Sequence, residues 1–440
     1  MGWFSNLFRR KRTEDVFAEF SDPAFSSGAV DAVPDAAGQG GGAAADNADQ
    51  LGFATSGGRF LGGTESQSGS SRRYRQAFTP SQPVADVRRL AGRTALIRRI
   101  IRAIEDQDLH VVLYGDRGIG KTSVLKVIQG LATRANYLVH YVSCGHSASF
   151  SEVFRSLATR IPLLYDSTID PTGGDSETSR SLADHLPEGD FSVSQLTEVL
   201  GRIEGARILL ILDEFDRSDI DGFRRPIGEL IKNLSDRSIR VQLLIGGVAG
   251  NLSELVAHVP SIRRNIAGIG VPNLIPSEVD EMVDIAEASG NVRFDALARE
   301  RLAEVSAGLP YLVGLIGQHA IFEAADAGDD WIARAHIDRA VGVGCEEIAS
   351  RLSLHCNFAL ERLSPEHRKL VEKAAVEAVG NGGLIVDPAT TAELRRHARD
   401  VAEIILPLAD DPRGGWRFNE DGAASLVWLR LMQPATPVPA

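Results

Sequence analysis

The segment 109–123, LHVVLYGDRGIGKTS, constrains the fold of this chain more than any other part. Its apolar residues 111–113 predict a buried strand, and the apolar spacing over 124–128 predicts a helix. Between the two lies the pattern Gly-x-x-x-x-Gly-Lys-Thr, which begins at Gly115. A strand, a glycine-rich turn and a helix in this order form a phosphate-binding loop. A glycine turn that matched by chance would lack these flanks.

The residue types of this loop suit a polyphosphate. Its glycines let backbone N–H groups turn toward phosphate oxygens without a Cβ clash, and the helix that follows adds the positive end of its dipole. Lys121 supplies a charge for the β- and γ-phosphates, and the hydroxyl of Thr122 is a predicted Mg²⁺ ligand. We predict that the whole loop binds nucleotide: Gly115, Asp116, Arg117, Gly118, Ile119, Gly120, Lys121, Thr122 and Ser123.

A second apolar run, residues 208–212, ends in the adjacent carboxylates Asp213 and Glu214. Downstream of a phosphate loop, a buried strand with this ending is typical of a nucleotide hydrolase. We expect Asp213 to hold Mg²⁺ and Glu214 to polarise the attacking water as a general base. An acidic turn after a strand is the structural alternative.

Three further residues are candidates for the same site. Asn251 ends the apolar segment 243–251 and is placed to contact the γ-phosphate or the attacking water, with an ordinary turn asparagine as the alternative. Arg263 and Arg264, of which Arg264 is favoured, suit charge stabilisation from a neighbouring subunit, with a surface arginine pair as the alternative. A guanine-specific Asn-Lys-x-Asp turn is missing, because residues 233–236 (NLSD) lack the lysine. ATP is therefore the predicted nucleotide.

Strands are also predicted at 137–142, 239–245 and 266–271, separated by helical segments, which indicates a parallel sheet with helices on both faces. The polar stretch 165–190 is predicted to be a surface loop. Residues 276–343 are predicted to be helical, and residues 355–433 to form helices that end in a small hairpin.

Composition and charge limit the classes of function. The chain has 440 residues, of which 43% are hydrophobic, and a net charge of −12, which argues against a surface that coats nucleic acid. Three cysteines without metal-ligand spacing indicate a reducing compartment, and no apolar run approaches the roughly 20 residues that span a bilayer. A cytoplasmic location is predicted.

The N-terminal part differs from the rest. Residues 1–12 combine aromatic side chains with a basic run, which suits docking on an anionic membrane surface or a partner, and a solvated tail is the alternative. Residues 13–77 are rich in Gly, Ala and Ser and are predicted to be a flexible linker.

With these motifs the chain resembles the AAA+ and STAND-like P-loop ATPases, in the branch of replication-initiator, transposition-helper and archaeal-type ATPases. The resemblance covers residues 78–343. It rests on Ala91-Gly92-Arg93, the phosphate loop, Leu212-Asp213-Glu214, the strand 243–251, the segment 258–264 and Ala307-Gly308-Leu309-Pro310.

The resemblance implies an α/β P-loop NTPase core over 78–272, a helical lid over 273–345 and a winged-helix-like region over 346–440. It also implies that Arg93 lies near the adenine and that Pro310 starts a lid helix over the nucleotide. Many AAA+ proteins have a sensor arginine at that point, whereas this chain has Gly308-Leu-Pro-Tyr. That departure is closer to the STAND pattern, and a slow switch is as compatible with it as a motor.

Two functions follow from these features. One is an ATP-driven regulatory switch whose partners are further copies of the chain and a protein effector. The other is an adaptor ATPase that acts on DNA through the C-terminal region. Because residues 346–440 carry 11 basic and 14 acidic side chains, DNA contact would depend on the cluster Arg395–Arg399.

Overall fold

The computed structural model describes residues 77–145, 149–167, 181–218, 220–247, 260–408 and 414–434. The predicted segment 1–12 and nearly all of the predicted linker 13–77 lie outside these residues. In the part of the chain that is described, no helix is long and apolar enough to cross a membrane.

A five-stranded parallel sheet holds the predicted motifs. Its strands are β1 (His110–Tyr114), β2 (Leu138–Ser143), β3 (Ile208–Asp213), β4 (Val241–Gly247) and β5 (Ile266–Gly270). The order is β2-β3-β4-β1-β5, and every neighbouring pair is parallel. This order brings the carboxyl ends of β1, β3 and β4 together, and ligands bind at that edge in open α/β sheets.

Helices cover both faces of the sheet, as predicted. They are α1 (Thr94–Glu105), α2 (Lys121–Arg134), α3 (Phe150–Thr159), α4 (Val193–Leu200) and α5 (Arg225–Asp236). Alternate residues of β3 enter different hydrophobic clusters: Leu209 and Ile211 pack on the side of α1 and α2, and Leu210 and Leu212 on the side of α3 to α5. The two-residue period of a strand therefore explains why β3 is apolar throughout.

Four helices follow the sheet: α6 (Pro276–Gly290), α7 (Ala296–Ser306), α8 (Pro310–Ala327) and α9 (Arg334–Arg351). The predicted helical region over 276–343 is therefore confirmed. Gly314 and Gly317 on α8 leave a groove that the segment before α1 fills, because a Cβ at Gly317 would lie 2.5 Å from the ring of Phe78.

The C-terminal region consists of α10 (Leu354–Glu361), α11 (Pro365–Gly380), α12 (Pro388–Arg396), the antiparallel strands β6 (Ile405–Pro407) and β7 (Trp416–Phe418), and α13 (Ala423–Met432). Trp416 and Phe418 of this hairpin are buried. Together with the sheet and the helical region, these elements confirm the predicted fold class. The hairpin does not end this region, however. It is followed by α13, which buries Leu426 and Leu429 against α9 and α11.

The prediction of a surface loop over 165–190 is wrong for its last part. A short 3-10 helix spans Leu182–His185, and Leu182 and Leu186 are buried in the same cluster as α3. The imidazole of His185 lies 3.0 Å from the carboxylate of Asp166. Polar neighbours in the sequence hide these two leucines, because each is a single apolar residue in a largely polar stretch.

One side chain after the sheet joins three parts of the fold. The amide Nδ2 of Asn273 donates to the carbonyl of Ala307 at 2.9 Å, where α7 ends, and to the carbonyl of Val379 at 2.8 Å, near the end of α11. The next residue, Leu274, donates its N–H to the carbonyl of Gly308 at 2.8 Å. The segment after β5 is thus bonded to both the helical region and the C-terminal region.

Candidate nucleotide site

The predicted phosphate loop joins β1 to α2 in the conformation that its glycines allow. Gly118 and Gly120 have φ values of 77° and 92°, in the left-handed region that favours glycine. The ammonium of Lys121 folds back into the loop and donates to the carbonyls of Gly115 at 2.9 Å and Asp116 at 2.7 Å. The lysine side chain is therefore positioned within the loop, at the start of the helix.

The predicted Mg²⁺ ligands lie side by side. The hydroxyl of Thr122 donates to Oδ2 of Asp213 at 2.8 Å, and the hydroxyl of Tyr141 donates to the same oxygen at 2.6 Å. Burial and the bond to Asp213 raise the pKa of Tyr141. Hydroxyl and carboxylate oxygens are the ligand types that Mg²⁺ prefers, so these residues fit that ion. Tyr141 gave no signal in the sequence beyond its place in a strand.

Glu214 follows Asp213 with a left-handed φ of 54°, and its N–H donates to Oδ1 of Asp213 at 2.9 Å. Its carboxylate accepts hydrogen bonds from Ser143 Oγ and Arg217 Nη1, both at 3.2 Å. The carboxylate is thus held at the edge of the sheet, between the ends of β2 and β3. Ser143 and Arg217 were not predicted from the sequence, because the first ends a different strand and the second lies in a turn.

A cavity of about 420 Å³ lies over the loop. Its lining includes the polar residues Lys121, Thr122 and Glu214, and also the segment 77–84 and the α6 side chains Met282 and Ile285. The N–H of Val84 donates to Oγ of the loop residue Ser123 at 3.1 Å, which attaches this segment to the loop. The cavity therefore offers both charged and apolar groups beside the loop.

Arg93, which is predicted to lie near the adenine, is buried beside the phosphate loop. It is 3% exposed, and its guanidinium donates to the carbonyls of Pro272 at 2.7 Å and Ile119 at 3.2 Å. Burial lowers the pKa of Arg93. Among the described residues, Arg93 is not one of those that line the cavity. It supports the phosphate loop through the carbonyl of Ile119.

The start of α8 lies directly on the loop. Pro310 lines the cavity, and the N–H of Tyr311 donates to the carbonyl of Gly118 at 3.1 Å. A Cβ at Gly118 would lie 2.8 Å from Cβ of Tyr311. The hydroxyl of Tyr311 accepts a hydrogen bond of 2.6 Å from Arg351, at the end of α9. Arg351 was not predicted, because a sensor arginine was expected only at the start of the lid helix.

The C-terminal region also touches the loop. Arg117 forms an ion pair of 2.6 Å with Asp421, in the turn before α13. A Cβ at Gly383 would lie 2.8 Å from Cγ of Asp116. A second cavity, of about 440 Å³, lies between the loop, Arg351 and this part of the C-terminal region. Two neighbouring loop residues therefore contact elements that lie far later in the chain.

The remaining predicted residues lie elsewhere. Arg263 and Arg264 are exposed on the 3-10 segment Pro260–Asn265, and Arg264 is 3.8 Å from Asp236. Among the described residues, neither arginine is one of those that line the two cavities. Asn251 lies outside the described residues.

Comparison with known proteins gives one family match. Residues 89–245 match the AAA ATPase domain. No curated protein matches the sequence.

Several solved structures are similar to this chain at a low level. Cdc6p from Pyrobaculum aerophilum is 14% identical, with a TM-score of 0.45, over 81% of this chain and 97% of that protein. The ORC2 protein of Aeropyrum pernix is 15% identical, with a TM-score of 0.44, over 81% and 96%. The Walker-type ATPase of Pyrococcus abyssi is 14% identical, with a TM-score of 0.48, over 80% and 99%. These values are too low to transfer a function.

The matched segment begins just before α1 and ends within β4, so it contains the phosphate loop and the Asp213-Glu214 pair. Residues 89–245 of this chain thus form an AAA ATPase domain.

Proposed function

We propose that the protein is an ATP-binding and ATP-hydrolysing regulatory switch. The observation that carries this proposal is the position of the phosphate loop. The same loop that offers Lys121 to a polyphosphate contacts the start of α8 through Gly118 and the turn before α13 through Arg117. A ligand that changes the loop therefore changes contacts with both the helical region and the C-terminal region.

The residues of the cavity have distinct proposed roles. The N–H groups of the loop and the ammonium of Lys121 would bind the β- and γ-phosphates, and the apolar lining residues Met282 and Ile285 would contact the adenine. Thr122 and Asp213 would hold Mg²⁺, which neutralises charge on the phosphates when bound. Glu214 would accept a proton from the attacking water after its carboxylate leaves Ser143 and Arg217.

We propose a division of the chain into three parts. Residues 78–272 would be the ATPase core, 273–345 the lid and 346–440 the effector region.

Exposure of Arg263 and Arg264 supports a contact with a second copy of the chain, in which one of them would reach the γ-phosphate of the neighbour. Cytoplasmic location, and docking through residues 1–12, stay predictions.

Lys121→Ala tests the nucleotide-binding part of the proposal. Removal of the ammonium leaves the phosphates without their main side-chain charge, so we expect ATP affinity to fall at least about tenfold. Calorimetric titration with ATP and Mg²⁺ measures it. Lys232→Ala, on α5 and outside the lining of the cavity, is the control. Equal affinity in Lys121→Ala and the wild type would refute the proposed site.

A second candidate function is DNA binding by the C-terminal region. Arg395, Arg396 and Arg399 lie at and just after the end of α12, and Arg395 donates to the carbonyl of Gly414 beside β7 at 3.4 Å. A gel-shift titration at several salt concentrations tests this. Binding that weakens steeply with salt, and is lost in a triple alanine variant, would support DNA contact, and no binding at low salt would exclude it.

A further inference from the structure

Two histidines and an aspartate converge at a place far from the phosphate loop in the sequence and outside the lining of its cavity. His367 lies in the first turn of α11, His397 caps the end of α12, and Asp400 lies in the turn that follows. We call these three residues the His-His-Asp cluster. One ligand atom from each lies within 4.8 Å of the other two.

The two imidazole rings each point one ring nitrogen toward the other. Nε2 of His367 lies 3.2 Å from Nδ1 of His397, and Oδ2 of Asp400 lies 3.7 Å from the first nitrogen and 3.8 Å from the second. Two imidazole nitrogens bound to one tetrahedral Zn²⁺ at about 2.0–2.1 Å are about 3.4 Å apart. The nitrogen pair already has nearly this separation, and the carboxylate oxygen needs only a small rotation to join it.

The surroundings of the cluster suit a metal ion. Oε1 of Glu366 lies 3.8 Å from Nε2 of His397, the ring nitrogen that does not face His367. The negative charge of this carboxylate lies close to the cluster and favours the binding of a cation there. The side chains of His367 and His397 are 20% and 30% exposed, and that of Asp400 is 53% exposed. An ion can therefore enter from solvent and keep a water as its fourth ligand.

We propose that the His-His-Asp cluster binds a divalent transition-metal ion of the Zn²⁺ type. The ion joins the start of α11 to the turn after α12. Since α11 also carries the carbonyl of Val379 that Asn273 holds, the metal stabilises the helix that is bonded to the segment after the sheet. This site is independent of the nucleotide and of the proposed switch.

The test is calorimetric titration of the nucleotide-free, chelator-treated full chain with Zn²⁺, with Co²⁺ as a spectroscopic probe. We expect one Zn²⁺ per chain at this site, ligand-field bands of Co²⁺ in the visible range, and a rise in melting temperature on adding Zn²⁺. His367→Gln and His397→Gln should each weaken Zn²⁺ binding at least about tenfold, because each removes one ligand.

His355→Gln is the matched control. His355 belongs to the same region and lies 3.7 Å from one carboxylate oxygen of Glu403, outside the cluster. The His355→Gln variant should bind Zn²⁺ like the wild type. Asp400→Asn, on an exposed turn, keeps the test valid if a histidine variant fails to fold. The proposal is overturned if the wild type binds no Zn²⁺, if the cluster variants bind it unchanged, or if His355→Gln loses it equally.

Discussion

The Glu214 carboxylate is engaged before any substrate reaches it. Ser143 and Arg217 hold it at the edge of the sheet, and the backbone at Glu214 is left-handed where the strand ends. Spacing alone predicts such a carboxylate after Asp213, but not its partners, because these come from β2 and from a turn. A water can be activated only when the carboxylate exchanges these donors for the water proton.

Glu214→Gln should keep ATP binding and lose turnover. The amide retains the size of the side chain but cannot accept a proton, and loss of a general base lowers rates by roughly 10²–10⁴-fold. Phosphate release and calorimetric ATP titration measure the two quantities separately. Glu229→Gln, on an exposed position of α5, should leave both unchanged. Turnover at the wild-type rate in Glu214→Gln would remove Glu214 as the base.

Because of the buried His110, the free energy of unfolding should depend on pH in the acidic range. Burial lowers its pKa from 6.5 to about 4, and its Nδ1 accepts the N–H of Leu243 at 3.0 Å, which requires the neutral ring. Below pH 6.5 the unfolded chain takes up a proton that the folded chain refuses until about pH 4. The free energy of unfolding should therefore fall by up to roughly 3 kcal/mol over this range.

Urea unfolding of the wild type and of His110→Gln at several pH values measures this effect. The glutamine offers an acceptor and does not titrate, so the variant should show a flatter decline between pH 6.5 and about 4. Parallel declines in the two proteins would show that His110 does not contribute.

The resemblance places Arg93 near the adenine, and that position stays a prediction. The structure adds what the motif does not give, because the guanidinium is buried against the carbonyls of Pro272 and Ile119. A motif gives the neighbourhood of a side chain, but not the direction in which a long side chain points. The loop residues are different, because their backbone conformation and residue types are tied to the glycine spacing.

At the scale of elements, the strands of the sheet were predictable to within a few residues. Buried parallel strands are continuously apolar, so β3 and β4 stand out in the sequence. The segment 77–84 does not stand out in the sequence, because its place depends on a groove that two glycines of α8 create. The buried residues Leu182 and Leu186 were hidden for a similar reason, since their partners come from a separate helix, α3.

The junction between α7 and α8 depends on Gly308. A Cβ there would lie 2.0 Å from the carbonyl oxygen of Leu274, and φ is 70°. Gly308→Ala should lower the free energy of unfolding by at least about 3 kcal/mol, through both the clash and the strained backbone. Urea or thermal unfolding measures the loss.

Gly328→Ala is the matched control for this change. Gly328 follows α8 with a φ of 74°, and no atom lies within 4 Å of the position that a methyl group would take there. Only backbone strain applies, so a cost of about 1–2 kcal/mol is expected. Equal losses of unfolding free energy in the two variants would show that the contact with Leu274 adds nothing to the cost of Gly308→Ala.

At the scale of the whole molecule, the phosphate loop is in contact with the last part of the chain. The pair Arg117–Asp421 is half-exposed, so its own stability contribution is small. Its position matters more, because Arg117 belongs to the loop that we propose to bind the phosphates. This contact is also the feature that was least predictable from the sequence, since long-range contacts leave no local pattern.

Asp421→Ala should free Arg117 for a phosphate, while the packing of α13 holds the C-terminal region in place. We expect ATP to bind several-fold more tightly, and calorimetric titration measures the change. Glu393→Ala, which breaks the similarly exposed pair with Lys373 on α11, is the control. If both variants bind ATP like the wild type, the ion pair does not couple the two regions.

The amide of Asn273 has a mechanical consequence. One nitrogen donates both hydrogen bonds, to the carbonyl that ends α7 and to the carbonyl near the end of α11. One amide group beside the end of the sheet therefore holds both the helical and the C-terminal region. Residue 273 is therefore a shared attachment point of two regions that are separated in sequence, and loss of its amide removes one bond to each of them at once.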